Sequence, residues 1–344
     1  MSAVAELPVA RWWRALGDGR LACELCPRGC KLRDGQDGFC FSRGNRGGVM
    51  RLLGHGRTSG FAVDPIEKKP FAQFLPGTRV LSFGTVGCNL ACRFCQNWRI
   101  TRARAERLEP EPVAPEQIAA AARRAGCASV AFTYNDPVIF AEYAQEVAAA
   151  CRAAGLRTVA VTAGYIGPAA RAEFFAGMDA ANVDLKAFTE AFYRRWCGAR
   201  LGAVLDTLAW LHRETRVWLE VTTLLIPGLN DSAAELDRAS DWFAATLGPE
   251  VPWHFSAFHP DGAMLDRSPT PLDTLRRARR IAQAKGLRYV YTGNLRDRDG
   301  ERTWCPHCGK CVIDRDGYRL LANLVRTGRC EFCGGAIAGV FRQA

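Results

Sequence analysis

From about residue 71 to residue 293 the sequence alternates short β-type runs with longer Ala-rich helical ones, and this alternation restricts the available folds more than any other feature. The candidate strands are Arg79–Thr85, Ser129–Thr133, Thr158–Thr162, Ala180–Leu185, Val217–Thr222, Trp253–Ala257 and Arg288–Tyr291. Between them lie the candidate helices Pro115–Ala125, Val138–Ala154, Pro168–Phe175, Leu201–Glu214, Asp231–Leu247 and Pro271–Lys285. Pro115 suits a first helical turn, and Asp231-Ser232 supplies capping side chains. Strand–helix repetition over this length implies an α/β fold with a parallel sheet, either doubly wound or rolled toward a barrel. Six or seven units fit a partial or near-complete barrel.

A barrel collects its function at the C-terminal strand ends. On that rule the chemistry belongs to the segments after each strand. These are Cys88 to Cys95, Tyr134-Asn135-Asp136-Pro137, Ala163-Gly164-Tyr165, Asp184-Leu185-Lys186, Thr223 to Asp231, Phe258-His259-Pro260 and Thr292-Gly293-Asn294. Most are polar or carry Gly, although loops of inert proteins are polar as well.

Cysteine divides the chain into three parts. Of fifteen cysteines, twelve fall in the groups Cys23/Cys26/Cys30/Cys40, Cys88/Cys92/Cys95 and Cys305/Cys308/Cys311/Cys330/Cys333. The expected organisation is an N-terminal four-cysteine metal-binding segment (1–70), a central α/β domain (71–293) and a C-terminal zinc ribbon (294–344). Cys127, Cys151 and Cys197 stand singly in apolar or helical surroundings and are expected to be small buried hydrophobes. The segment Met1 to Arg14 lacks the apolar core of a secretory signal, and no apolar run reaches the length of a membrane span. A cytoplasmic chain with metal-binding rather than disulfide-forming thiols is therefore expected.

The middle group has the spacing C-x3-C-x2-C over Cys88-Asn89-Leu90-Ala91-Cys92-Arg93-Phe94-Cys95. A structural zinc site takes four protein ligands, and a closed iron–sulfur cubane takes four thiolates. Three thiols leave one iron open to a small molecule. A zinc knuckle would need a fourth ligand that this loop does not contain.

This loop, with Phe94 before its last Cys, resembles the signature of the radical S-adenosylmethionine (radical SAM) enzymes. The segments Asp64-Pro65-Ile66-Glu67-Lys68-Lys69-Pro70, Gly87-Cys88-Asn89-Leu90 and Cys95-Gln96-Asn97-Trp98 are similar to a subgroup related to pyruvate formate-lyase activating enzymes. More narrowly, the chain resembles the radical SAM member of the AmmeMemoRadiSam system over nearly its whole length. The resemblance implies a partial (β/α)6-type barrel in which Cys88, Cys92 and Cys95 hold a [4Fe–4S] cluster. The fourth iron would chelate S-adenosylmethionine, whose one-electron cleavage yields a 5′-deoxyadenosyl radical that abstracts hydrogen from a substrate.

Other positions carry over by the same resemblance. Asn135 and Asp136 stand where relatives have Gly-Gly-Glu-Pro for the cofactor's amino group, though the bland reading is an Asn-Asp-Pro helix start. Lys186 would pair with the cofactor carboxylate, and Asp184 would bind a cation or polar atom beside it; Lys is scarce here, with 6 against 40 Arg. Gly164 lies in Thr162-Ala163-Gly164-Tyr165, where the family's Thr-Asn-Gly-Tyr has a side-chain amide. His259 would contact ribose or adenine. The implied partners are the other proteins of that system, including a Memo-like one, and a reductant such as flavodoxin or ferredoxin.

Two closed sites flank the open one. Cys305-x2-Cys308 and Cys330-x2-Cys333 are knuckles suited to tetrahedral zinc, with Cys311 and His307 as spare donors. Cys23, Cys26, Cys30 and Cys40 can close around zinc or an auxiliary iron–sulfur cluster, and the spacing matches no ferredoxin run. The net charge of +11 is mostly Arg in an Ala- and Gly-rich chain, a coding bias rather than a binding surface. Its one local cluster, Arg93, Arg99, Arg102, Arg104 and Arg107, suits a solvated face, an anionic substrate or an acidic partner. A zinc-ribbon nucleic-acid-binding protein and an electron-transfer iron–sulfur protein are the competing classes; neither explains an open three-thiol site at a strand end.

Overall fold

The structure, a computed structural model, describes residues 7–104 and 111–341, so Arg107 lies outside the described residues. At the N-terminal side, β1 (Trp13–Ala15), β2 (Leu21–Cys23) and β3 (Lys31–Leu32) form a small antiparallel sheet, and β4 (Arg43–Arg46) pairs with β5 (Val49–Leu52). The central sheet comprises β6 (Phe61–Pro65), β7 (Arg79–Phe83), β8 (Ser129–Phe132), β9 (Arg157–Thr162), β10 (Ala180–Asp184), β11 (Trp218–Leu225), β12 (Trp253–Ala257) and β13 (Val290–Gly293). Its helices are α1 (Trp98–Thr101), α2 (Pro115–Arg124), α3 (Ala141–Ala153), α4 (Pro168–Ala176), α5 (Glu190–Phe192), α6 (Leu201–Glu214), α7 (Ala233–Thr246), α8 (Leu272–Ala284) and α9 (Arg298–Glu301). A three-stranded sheet of β14 (Thr303–Trp304), β15 (Cys311–Asp316) and β16 (Arg319–Asn323) follows, with the hairpin β17 (Val325–Arg326) and β18 (Arg329–Cys330).

Every strand and helix expected between 79 and 293 is present, with ends within three residues of the sequence reading. The sheet runs β6 to β13 in chain order without a reversal. A doubly wound sheet reverses its order at a switch point, so the winding here is sequential. From β7 to β13 all pairs are parallel, whereas β6 joins β7 antiparallel. β6 escaped the sequence reading because Phe61-Ala62-Val63-Asp64-Pro65 lies in a stretch that looks loop-like, and its edge position leaves it half exposed.

Sequential right-handed crossovers place the connecting helices α2, α3, α4, α6, α7 and α8 on one face of the sheet. The period of two along each strand agrees. Leu81, Phe83, Val130, Phe132, Val183, Val221 and Phe255 belong to the large core shared with the helices. Their neighbours Val80, Ala131, Val159 and Ala180 face the other way and pack against Ile66, Phe71 and Phe74. The segment after β6 therefore plugs the helix-free face at the N-terminal strand ends. The same face stays open at the C-terminal ends, where Thr133, Val161, Asp184, Thr222 and Ser256 line cavities.

The plug is fixed by one buried carboxylate. Glu220 on β11 accepts hydrogen bonds from the amides of Ala72 (2.8 Å) and Gln73 (2.9 Å) and from the Trp218 indole (3.0 Å). Its Oε2 lies 2.6 Å from His254 Nε2. The C-terminal unit docks on the same plug. Val340 exchanges backbone hydrogen bonds with Gln73 and Leu75, both 2.7 Å, and the buried Arg315 donates to the Ala72 carbonyl at 2.5 Å.

Candidate active site at the C-terminal strand ends

Cys88, Cys92 and Cys95 lie on the loop that leaves β7, and all three line a cavity of about 260 Å³. Gly87 sets the entry to this loop with φ of 84°, a region L side chains avoid. A Cβ there would also strike the Cys40 carbonyl. The loop is held from three sides. Asn135 donates to the Gly87 carbonyl and to Thr85 Oγ1, both at 3.0 Å. Asn89 donates to the Tyr165 carbonyl at 2.9 Å. The amides of Ala91 and Arg93 donate to the carbonyls of Cys197 (2.8 Å) and Trp196 (2.9 Å).

Those two carbonyls come from a π-helical turn, Tyr193–Cys197, that closes on the left-handed Gly198. Such turns recur at functional sites because the extra residue redirects the backbone. Cys197 is fully buried, as expected, but its thiol lies beside Cys92. That neighbour and burial push the Cys92 thiol well above its ordinary pKa. Burial chiefly raises Cys88 to about 12, and it raises Cys95 as well. Metal-free, these sulfurs are protonated; a cation must displace the protons to bind.

Asp136, almost wholly buried, stands beside Cys88. Its Oδ1 accepts from Thr162 Oγ1 (2.7 Å) and the Val138 amide (3.3 Å), whereas its buried Oδ2 meets no hydrogen-bond partner. Burial raises its pKa to about 6, against the lowering influence of Thr162, the Val138 amide, Lys186 and the Asn89 side chain. An unsatisfied buried carboxylate oxygen beside a cavity suits an incoming cationic or hydrogen-bond-donating group. Lys186 Nζ sits 2.9 Å from Asp184 Oδ2. Burial disfavours the ammonium, whereas the neighbouring Asp184 carboxylate favours it, and the Lys186 pKa is raised above the usual value.

The remaining expected residues are placed as follows. The side-chain amide of Asn135 is engaged by Thr85 and Gly87, so it ties the end of β8 to the start of the three-thiol loop. Gly164 turns the chain at φ of 64°, with Val183 filling the space where a Cβ would stand. His259 is exposed and lines a second cavity of about 800 Å³ rather than the thiol-lined one. The two cavities share Asn97, Tyr134, Asp184, Thr222, Ser256 and other lining residues, so they form one continuous hollow. Tyr134 adopts φ of 70° there, a strained conformation for a bulky residue, and its carbonyl accepts from Asn97 at 2.8 Å.

Of the basic cluster, Arg104 pairs with Asp37 at 2.9 Å, and Arg93 and Arg99 lie over the rings of Trp196 and Trp98. Thr162, Tyr193, Cys197 and Asn230 were not read as site residues. Tyr193 Oη accepts from the Lys186 amide (2.9 Å), and Asn230 donates to the Lys186 carbonyl (2.7 Å). Asn230 was visible in Pro227-Gly228-Leu229-Asn230, but nothing local marks its long-range partner.

At the C-terminal unit, one donor each from Cys305, Cys308, Cys330 and Cys333 lies within 4.8 Å of the others, a set that could hold a metal ion. Cys305 and Cys333 are 3.7 Å apart and Cys308 and Cys330 3.8 Å apart. The two spare donors turn elsewhere, Cys311 to the Ile313 carbonyl and His307 to the Ala336 carbonyl. This unit is also a wall of the larger cavity, through Arg315, Gly317 and Tyr318. No helix among the described residues is long and apolar enough to cross a membrane.

A sequential parallel α/β sheet with a three-thiol loop after its first parallel strand defines the class of enzyme to which the comparisons also point. The Radical SAM superfamily model matches residues 83–239. The chain is 38% identical over 327 residues to the uncharacterized protein MJ0808 of Methanocaldococcus jannaschii, an alignment covering 94% of this chain and 97% of that one. Among solved structures it is similar in fold to a radical SAM methyltransferase from Sphaerobacter thermophilus, with TM-score 0.52 at 14% identity over 84% of this chain and 78% of that one. It is likewise similar to Streptococcus suis SuiB, with TM-score 0.50 at 14% identity over 67% of this chain and 52% of that one. The chain belongs to the radical SAM superfamily and is an enzyme of radical chemistry.

Proposed function

We propose that the hollow at the C-terminal strand ends binds a [4Fe–4S] cluster and S-adenosylmethionine and carries out activating-enzyme-like hydrogen abstraction. The observation that carries this reading is the unpartnered Asp136 Oδ2, buried in the lining of the cavity that holds three thiols, which leave one coordination position open. When bound, the cofactor pair supplies one-electron cleavage to a 5′-deoxyadenosyl radical able to take hydrogen from carbon. Cys88, Cys92 and Cys95 hold the cluster, and Asn135 with the Ala91 and Arg93 amides fixes their loop. Asp136 receives the cofactor's ammonium group. Lys186, held charged by Asp184, faces its carboxylate. His259 and Asn294 border the larger hollow, into which substrate enters.

At about 800 Å³ that hollow falls within the range of small-molecule sites. It also admits a peptide side chain with its flanking backbone. The finer architecture we assign is an incomplete (β/α)6 barrel, supported by seven sequential parallel strands in a sheet that does not close. We assign zinc to the Cys305/Cys308/Cys330/Cys333 site: Zn–S bonds of about 2.3 Å in a tetrahedron place sulfurs about 3.8 Å apart, and the separations of 3.7 and 3.8 Å match this. The motif similarity to the AmmeMemoRadiSam system nominates that system's other proteins, the Memo-like one included, as partners. A flavodoxin or ferredoxin is the matching electron donor.

Anaerobic reconstitution with iron and sulfide, then reduction in the presence of S-adenosylmethionine, is expected to release 5′-deoxyadenosine and methionine. Full cluster loading without cleavage overturns the reading. Asp136→Asn removes a charge-assisted hydrogen bond worth about 1.5–3 kcal/mol. It is expected to weaken S-adenosylmethionine binding by roughly ten- to a hundredfold, measured by titrating the cluster's electron paramagnetic resonance signal. Cys330→Ser is expected to release the zinc and expose the chain beyond 303 to limited proteolysis, since so small a unit depends on its metal.

A further inference from the structure

The N-terminal cysteines converge as well, but in a different geometry from the C-terminal set. Cys23 ends β2, and its amide bonds the Cys30 carbonyl at 2.8 Å, so the turn between them folds back on itself. Cys26 lies in that turn, and Cys40 enters from the turn before β4. All four line one enclosed cavity together with Arg43 and Asn89. Three further observations indicate that this cavity is built for a bound group.

First, backbone amides are aimed at the sulfurs: Leu25 to Cys23, Arg28 to Cys26 and Ser42 to Cys40. The same two-residue pattern occurs at Cys88 with Leu90 and at Cys305 with His307. Hydrogen bonds to sulfur are a regular part of iron–sulfur sites. Second, Arg43 is only 1% exposed, and its Nε has no hydrogen-bond partner although its Nη atoms bind Glu142 and the Arg11 carbonyl. A buried guanidinium N–H left over in the lining of a cavity suits an acceptor bound there. Third, the sulfurs are spread. Among the described residues the C-terminal four are drawn within 4.8 Å of one another, whereas no three of Cys23, Cys26, Cys30 and Cys40 are, and neither are Cys88, Cys92 and Cys95. One zinc ion pulls its thiolates together; a cubane, with each thiolate on a different iron, holds them apart.

We propose that Cys23, Cys26, Cys30 and Cys40 hold a second [4Fe–4S] cluster, closed by four thiolates and seated directly against the Cys88 loop. Arg43 Nε donates to a sulfur of that cluster. The Cys40 carbonyl abuts Gly87, and Arg28 reaches from the cage to the carbonyls of Asn89 and Gly198. The closed cluster therefore braces the loop that carries the open one. It has no free iron and binds no S-adenosylmethionine.

The test is metal analysis and electron paramagnetic resonance of the anaerobically reconstituted full chain, with the Cys88→Ser/Cys92→Ser/Cys95→Ser variant beside it. The wild-type chain is expected to hold about eight irons and eight sulfides, two cubanes, plus about one zinc. The triple variant is expected to keep about four of each and a reduced-cubane signal that S-adenosylmethionine leaves unmoved. A triple variant with no iron or sulfide and about two zincs overturns the proposal. Should that variant not fold, Cys26→Ser/Cys40→Ser is expected to halve the iron while keeping a signal that S-adenosylmethionine perturbs; undiminished iron overturns it. Failure of the active-site reading looks different. It would abolish the perturbable signal of the wild-type chain and leave the triple variant's cluster intact.

Discussion

Cys92→Ala, made together with Cys197→Ala, is expected to lower reductive cleavage of S-adenosylmethionine by more than about a thousandfold, a loss exceeding about 4 kcal/mol of activation free energy. The double replacement matters because the Cys197 thiol lies beside Cys92 and offers a substitute ligand. With only two thiols left, one more iron loses its protein anchor, and the loop has no other donor to replace it. The fold should survive, since Ala91 and Arg93 keep their backbone bonds to the π-helical turn. Cys127→Ala, at a buried thiol remote from the hollow, serves as the control and is expected to cleave at the wild-type rate. Product is measured by chromatography of 5′-deoxyadenosine against iron content. Cleavage by the double variant within tenfold of wild type would mean that Cys92 holds no iron. The single Cys92→Ala variant gives the complementary readout: residual cleavage there, absent from the double variant, identifies Cys197 as the substitute.

The sequence made the strand–helix framework legible because its information is local. Each of Arg79–Phe83, Ser129–Phe132 and Trp253–Ala257 is a short apolar run bounded by turn residues, and Leu201–Glu214 is an unbroken helical stretch. The thiol groups were legible for the same reason, since their members lie close in sequence. What stayed hidden depends on distant partners. Cys197 reads as one more apolar residue of its segment, and only the fold sets it against Cys92 across more than a hundred positions. Asn135 reads as a cofactor contact, while in the structure its amide is engaged with Thr85 and Gly87. The chain beyond 293 reads as an appended metal-binding unit. Yet Arg315 and Val340 anchor it to the plug segment, and Tyr318 makes it a wall of the larger hollow. Its four-thiol spacing carries no trace of that docking.

Glu220 is the sharpest case of a residue whose weight only the fold reveals, and Glu220→Ala is expected to be among the most destabilising single changes in the protein. The side chain is fully buried. Its two oxygens satisfy the amides of Ala72 and Gln73, the Trp218 indole and the His254 ring. Truncation strands these donors on the plugged face of the sheet. A stranded buried donor costs about 1–3 kcal/mol, so the sum reaches roughly 4 kcal/mol or more against a total stability of about 5–15 kcal/mol. The plug from Ile66 to Leu75 should loosen first, and with it the docking of Val340 and Arg315. Equilibrium urea unfolding is expected to show a midpoint lowered accordingly, and hydrogen exchange should show lost protection at Ala72 and Gln73. Glu220→Gln keeps one acceptor oxygen but turns an amide donor toward existing donors, so an intermediate loss is expected. A change below about 1 kcal/mol in Glu220→Ala would mean that the plug is held by its apolar contacts alone. Because Lys69 and Tyr134 connect the plug to the hollow through a cation–ring contact of 5.0 Å, cofactor affinity should fall together with stability. It should fall far less in a variant that loosens only the C-terminal metal site.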